Sequence, residues 1–401
     1  MKILDSSKDI ADSKYFSNVG KGIKPFLIKE VCSLFFDKHI MIILNDNNEV
    51  DYYFNLFNDF FKKDNIFKFP SWDNIPYEEV SPSQVIINER FKTINCFKKQ
   101  KLSKKPFILF TNIEAVIQQL PPKKILEQNS FAIEINQKLS LELVNSKLNT
   151  DGYEKVGVVL EPNEYAVRGG IIDVWPLGEE YPHRIDFLGN KIDTIRIFNP
   201  ISQITSKKVK KIIISSSIES PRSEIESNRF IQNYRKLFGP SINKELFVHK
   251  LKNGIKTDGI ENWLPLFYSD NLCNIDEFFQ IDLILADEYF FENAQKKISE
   301  INKLYEDKKN FLLKEKEAVN FPLPPQYLYF TKKKLIEICS RKLFKSFSYL
   351  TNYKKESVYE INCKENIEFH SSYTSNNEII SRVKSIINDF IGKKKNNYLL
   401  F

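Results

Sequence analysis

At 401 residues, with 42% apolar and 28% charged side chains, the chain is too long for one ordinary core and has the composition of a soluble globular protein. A formal net charge of +7 permits a nucleic-acid or acidic partner without requiring one. The five cysteines form no CxxC pair and the four histidines stand far apart; "MKILDSSKDIADSKYF" at the start lacks the apolar core of a signal peptide, and no run of about 18 apolar residues occurs. A local metal site, a disulfide framework, a secretory leader and a membrane span are thereby excluded as readings, and a reducing cytoplasm is the expected location.

In chain order, the first 120 residues alternate helix and strand. "PFLIKEVCSLFF" predicts a helix with Pro25 in its first turn. "IMIILN" (Ile40 to Asn45) is a short apolar run of the kind that fills a buried parallel strand. "NEVDYYFNLFNDFFKK" has helical period, "IFKFP" reads as a strand, and "SPSQVIINERFKTINCFKKQ" predicts a helix capped by Ser81 with Pro82 at its first position. "PFILFTN" and "IEAVIQQL" add a strand and a helix. This alternation predicts an α/β domain with a parallel sheet over residues 1–130.

After Pro121 and Pro122 the pattern changes, and residues 131–217 predict a small inserted α+β domain. Its clearest signal is "HRIDFLGNKIDTIRIF", in which Gly189-Asn190 forms a two-residue hairpin turn between alternating strands. From 218 to 350 helices and isolated strands return, including "IDLILADEYFF". Residues 351–401 hold a strand-like segment, then "NEIISRVKSIINDFIG" with one apolar helical face, and the apolar end "NNYLLF". That ending reads as the opening of a further α/β domain, as though the chain stops inside it.

Sites for local chemistry are few. "FSNVGKGIKPF" lies where a phosphate loop would precede the first helix, but no GK[ST] follows, and Ile23 stands where the hydroxyl neighbour for magnesium belongs. "LILADE" resembles a magnesium-binding strand end, with Asp287 and Glu288 as the carboxylates; without a phosphate loop the plain reading is a strand entering a helix with acidic residues at its start. His183, beside Arg184, reads as an exposed sheet residue. No GxSxG, HExxH or Cys–His pairing occurs, so no catalytic centre is specified.

The hairpin closed by Gly189-Asn190 would pair Leu188 with Lys191, Asp186 with Asp193 and Arg184 with Ile195. Alternation then puts Arg184, Asp186, Leu188, Lys191 and Asp193 on one face, and Ile185, Phe187 and Ile192 toward the core. Upstream, "YAVRGGIIDVWP" reads as a strand in which Gly169 and Gly170 allow a bulge or close approach that aims Arg168 outward. Two readings of this face stand side by side: a solvated sheet surface, or a protein-binding face with arginines and an exposed apolar residue.

"FPSWDNIPYEEVSPSQVIINERF", "EPNEYAVRGGIIDVWPLGEEYPHRIDFLGNKIDTIRIFNPISQ", "GIENWLPLFY" and "FPLPPQYLYF", in this order, resemble the N-terminal region of the bacterial transcription-repair coupling factors, from about Phe16 to the end. The resemblance implies a UvrB-like, degenerate P-loop-type domain split in two (1–130 and 218–350) around the inserted UvrA-binding domain, with a third domain begun at 351–401. It implies that Arg168, Arg184 and Leu188 contact UvrA, Leu188 replacing the family's aromatic. It implies no nucleotide hydrolysis and no cofactor in this chain. ATP and magnesium would serve only motor domains beyond it, which would also carry the RNA polymerase and double-stranded DNA partners; no membrane is implied. The alternative resemblance is to UvrB itself, a damage-loading helicase subunit, which needs an intact phosphate loop. A stand-alone basic nucleic-acid binder is a third reading, resting on the net charge of +7 alone.

Overall fold

The computed structural model describes residues 11–61, 65–103, 105–128, 130–216, 219, 224–239, 250–251, 257–269, 271–314, 320–349 and 357–361. In chain order, β1 (Tyr15–Ser17), β2 (Ile40–Leu44), β3 (Ile66–Phe69) and β4 (Ile108–Asn112) alternate with helices Lys24–Leu34, Asn47–Phe61 and Gln84–Ser103. There follow β5 (Ser130–Glu134), β6 (Glu154–Lys155), β7 (Glu164–Arg168), β8 (Ile171–Val174), β9 (His183–Leu188), β10 (Lys191–Phe198), β11 (Thr205–Lys208) and β12 (Lys211–Ser215). The chain closes with β13 (Leu283–Asp287), β14 (Leu343–Phe347) and β15 (Val358–Glu360); helices Phe290–Lys314 and Lys332–Ser340 link the first two.

Strands from both ends of the chain build one seven-stranded sheet in the order β15-β1-β14-β13-β2-β4-β3, parallel throughout. The α/β class expected from the alternation is what the fold shows. The apolar runs explain it: a parallel strand covered on both faces needs apolar residues at consecutive positions. Met41 and Ile43 join one core with Leu109, Ile284 and the helices Gln84–Ser103 and Phe290–Lys314. Ile40, Ile42 and Leu44 join the other with Phe110, Leu285 and the helices Lys24–Leu34 and Asn47–Phe61. β15, beyond residue 350, pairs with β1 at the sheet edge, and Asn18 Nδ2 donates to the Ile361 carbonyl at 3.0 Å. The helix expected over 377–391 and the apolar ending lie outside the described residues.

Between the two halves of this sheet, β6 to β11 form a six-stranded sheet, β11-β10-β9-β8-β7-β6, antiparallel except where β6 meets β7. β5 and β12 pair antiparallel beside it. Its inner face packs Tyr165, Ile172, Val174, Ile185, Ile192 and Ile195 against Val144 and Leu148 of helix Leu141–Thr150.

Several local expectations are corrected. The helix expected to start at Ser81 begins at Gln84, and Ser83 Oγ accepts from Ile86 N–H at 3.4 Å. Ser81 Oγ instead donates to Glu261 Oε2 at 2.8 Å and accepts from Gly259 N–H at 3.0 Å, tying this loop to a distant segment. His183 is buried on the inner sheet face, not exposed, because its register sets it between Val174 and Ile197.

Burial holds the His183 imidazole, and likewise His39, below the usual histidine pKa, since the charged ring is poorly solvated there. The unfolded chain therefore binds protons more readily below about pH 6.5. Both histidines contribute stability that is complete above that value and declines as pH falls through their lowered folded-state pKa values. Melting curves from pH 7.5 to 5 should show a loss that is shallower in His183→Phe; equal slopes in variant and wild type would show that His183 does not contribute.

Candidate partner-binding face

The Arg-Gly-Gly at the mouth of β8 is the turn of a hairpin rather than a bulge. Arg168 pairs with Ile171, so Gly169 and Gly170 are the two loop residues. Gly169 takes φ 55°, a left-handed conformation that glycine adopts without steric penalty. A Cβ on Gly170 would meet the Phe187 carbonyl at 3.3 Å, and Phe187 N–H donates to the Gly170 carbonyl at 2.9 Å. The turn thus locks onto β9.

The second hairpin, at Gly189-Asn190, has the expected tip: Lys191 pairs with Leu188, and Gly189 takes φ 59°. Further along, the register shifts between Ile192 and Thr194. This bulge leaves Asp193 without a partner position, sets Thr194 opposite Asp186, and sets Arg196, not Ile195, opposite Arg184. The faces come out as expected: Ile185 and Ile192 are fully buried, while Arg184, Asp186 and Leu188 lie on the outer face.

Two ion pairs stretch across that outer face. Arg184 binds Asp173 bidentately, Nε to Oδ1 at 2.7 Å and Nη2 to Oδ2 at 2.8 Å, because β8 and β9 register these residues opposite each other. Its guanidinium lies 4.7 Å from the Phe198 ring centroid and donates to the Gln203 carbonyl at 3.4 Å and to Gln203 Oε1 at 3.3 Å. Asp186 accepts from Arg196 Nη2 at 2.8 Å and from the Thr194 hydroxyl. Arg184 therefore does not project freely, as the alternation alone suggested; its side chain is 18% exposed. Arg168 is exposed, and its Nη2 donates to the Gly157 carbonyl. Leu188 stands 73% exposed at the hairpin tip. The three residues share one face, with Arg168 and Arg184 on neighbouring cross-strand rows through Ile171–Asp186 and Asp173–Arg184.

Sequence reasoning missed Asp173, Gln203 and Arg196. Asp173 lies across the 175–182 loop from β9 and Gln203 in the loop between β10 and β11, so no local period announced them. Arg196 was displaced by the bulge.

At the ends of β1 and β13, the segment after β1 is closed on itself. Lys24 is buried and its Nζ lies 2.6 Å from Asp287 Oδ1. Ile23 and Lys24 N–H both donate to the Gly20 carbonyl at 3.1 Å, so these donors are not offered to an anion. Tyr53 and Tyr349 line the same place, and burial pushes the Tyr349 phenol up to about 12. Among the described residues, no group of three or more His, Cys, Asp and Glu is placed to hold a metal ion, and no helix is long and apolar enough to cross a membrane.

Residues 131–219, which contain β6 to β12 and all but the first residue of β5, match the UvrB interaction domain family. Over as much as 82% of its length the chain is similar to the transcription-repair-coupling factors, as its motifs suggested. The Escherichia coli K12 protein is 29% identical over 54% of this chain and 18% of its own length. The Rickettsia conorii protein is 28% identical over 82% of this chain and 31% of its own, and the Borreliella burgdorferi protein 33% over 45% and 16%. The chain spans less than a third of the length of these relatives.

Proposed function

We propose that this chain is the UvrA-recruiting module of a transcription-repair coupling factor. In that role it links a stalled RNA polymerase to nucleotide excision repair in the cytoplasm. The outer face of the six-stranded sheet docks UvrA, with Arg168 and Leu188 in contact and Arg184 between them. The observation that carries this reading is that Arg168, Arg184 and Leu188 share one outer face within the segment matching an interaction-domain family. A parallel sheet assembled from both sides of that segment supports a P-loop-type domain split around an insertion. Its nucleotide site is degenerate, because the Lys24–Asp287 pair joins the groups that phosphate and magnesium would need. This chain then hydrolyses no ATP and takes no cofactor. ATP, magnesium, double-stranded DNA and RNA polymerase are engaged by domains beyond it.

Titration of UvrA against wild type, Arg168→Ala and Leu188→Phe tests this, with melting curves alongside. Arg168→Ala should weaken binding by about 2 kcal/mol, the scale of an interfacial arginine, while exposed sites change folding by only about 0.5 kcal/mol. Leu188→Phe should tighten binding by adding aromatic contact area. Wild-type affinity in Arg168→Ala contradicts the reading.

A further inference from the structure

Beside Arg184, residues 199–204 form a turn whose construction is out of proportion to a plain connection. Asn199 Oδ1 accepts from Ile201 N–H at 3.0 Å and from Ser202 N–H at 2.9 Å, and Asn199 N–H donates to the Ile204 carbonyl at 3.0 Å. Gln203 sits at φ 59°, a conformation that is costly for a non-glycine residue and persists only where surrounding bonds over-determine it. Those bonds are present. Gln203 N–H donates to the Asn199 carbonyl at 2.8 Å. Its Nε2 donates to the Pro200 carbonyl at 2.6 Å and to the Val159 carbonyl at 3.3 Å. Its carbonyl and Oε1 both accept from Arg184.

This fixed turn holds two isoleucines in water. Ile201 is 90% exposed and Ile204 69%, and Val158 and Leu160 on the neighbouring loop are exposed as well. The small core beneath, made by Val159, Ala166 and Phe198, uses none of the four. The neighbouring loop is braced from both sides, since Arg168 donates to the Gly157 carbonyl and Gln203 to the Val159 carbonyl. A rigid apolar group loses little conformational entropy when it is buried against a partner, which is the character of an anchor.

We infer that the 199–204 turn, with Ile201 at its tip, is the apolar anchor for the same protein partner that docks on the Arg168 face, and that Arg184 is a positioning residue acting through this turn. The inference rests on the reading of that face given above. Its occupant is UvrA, through an apolar pocket beside the surface that meets Arg168; the turn is continuous with that face and lies within the matched interaction segment. Arg184, whose charge is neutralised by Asp173, contributes by holding Gln203 and hence the angle at which Ile201 is presented.

The test is titration of UvrA against the whole chain carrying Ile201→Ala, Ile201→Asp, Arg184→Ala, the Arg184→Ala/Ile201→Ala pair and Arg168→Ala. Ile201→Ala should weaken binding about tenfold or more, and Ile201→Asp further, with melting temperature unchanged. Arg184→Ala and Ile201→Ala should be strongly non-additive, the pair binding about as poorly as the worse single variant, because both act through one element. Simple additivity would make Arg184 an independent contact and overturn its positioning role. Wild-type affinity in both Ile201 variants, with Arg168→Ala impaired, would end the docking surface short of the turn and leave the proposed function standing. Wild-type affinity in all variants would remove both. A wild-type chain that self-associates, and stops doing so in Ile201→Asp, would assign the turn to a second copy instead.

Discussion

Arg90→Met is expected to lower the melting temperature of the chain by about 5 °C, the equivalent of about 3–5 kcal/mol for breaking a buried ion pair in a chain of this length. Arg90 and Glu219 are 0% and 1% exposed, and Arg90 Nε lies 2.6 Å from Glu219 Oε1. The guanidinium also donates to the Pro70 carbonyl at 2.9 Å and stacks 4.2 Å from the Phe69 ring centroid. Glu219 in turn accepts from Trp72 Nε1 at 3.1 Å, and its carbonyl accepts from Tyr268. One carboxylate therefore fastens helix Gln84–Ser103, the loop after β3 and the segment after β12. Removing Arg90 strands that carboxylate without its countercharge in an apolar surround. Replacing both, as in Arg90→Met/Glu219→Gln, should recover part of the loss, since removing both charges of a buried pair is far milder than removing one. Urea titrations of the three chains measure this. A loss under about 1 kcal/mol in Arg90→Met would mean that water reaches the site and that the three segments are not fastened there.

Asp287→Ala should be nearly as damaging, about 3 kcal/mol, and for the same reason: it leaves Lys24 charged and buried with no carboxylate. The expectation separates two roles. An acid that organises magnesium in a working nucleotide site is not required for folding, and its loss abolishes hydrolysis while sparing stability. Here the reverse is expected. Wild-type chain should show no phosphate release and no thermal shift with ATP and magnesium, while Asp287→Ala melts early. Saturable hydrolysis that disappears in Asp287→Ala without a stability change would restore the reading of a UvrB-type ATPase.

Much of the α/β body was legible because its strands carry an unambiguous signal. "IMIIL", "ILFTN" and "LILAD" are continuous apolar runs, and a strand covered on both faces needs such runs. The Gly189-Asn190 tip was legible because only a few residue types tolerate the turn it makes. What escaped the sequence depends on pairings between segments. The bulge at Asp193 moves the register by one residue, and that single step exchanges Ile195 for Arg196 opposite Arg184. The partnership of Arg184 with Asp173 needs the β8–β9 register, which the loop at 175–182 does not announce. His183 was misplaced because its polar ring and its place beside Arg184 outweighed the alternation, which sets it on the same inward face as Ile185. The resemblance named Arg184 as a contact; the geometry shows it bound to Asp173 and Gln203, so its role at the face is set by neighbours that local sequence does not reveal.

The most direct measurement is hydrogen exchange of the whole chain with and without saturating UvrA. Added protection should fall on the 157–160 loop, on the Arg168 and Leu188 turns and on the 199–204 turn. The seven-stranded sheet should exchange as before. Protection confined to the seven-stranded body, or none under conditions where binding is saturated, would contradict the assignment of the partner to the outer face of the six-stranded sheet.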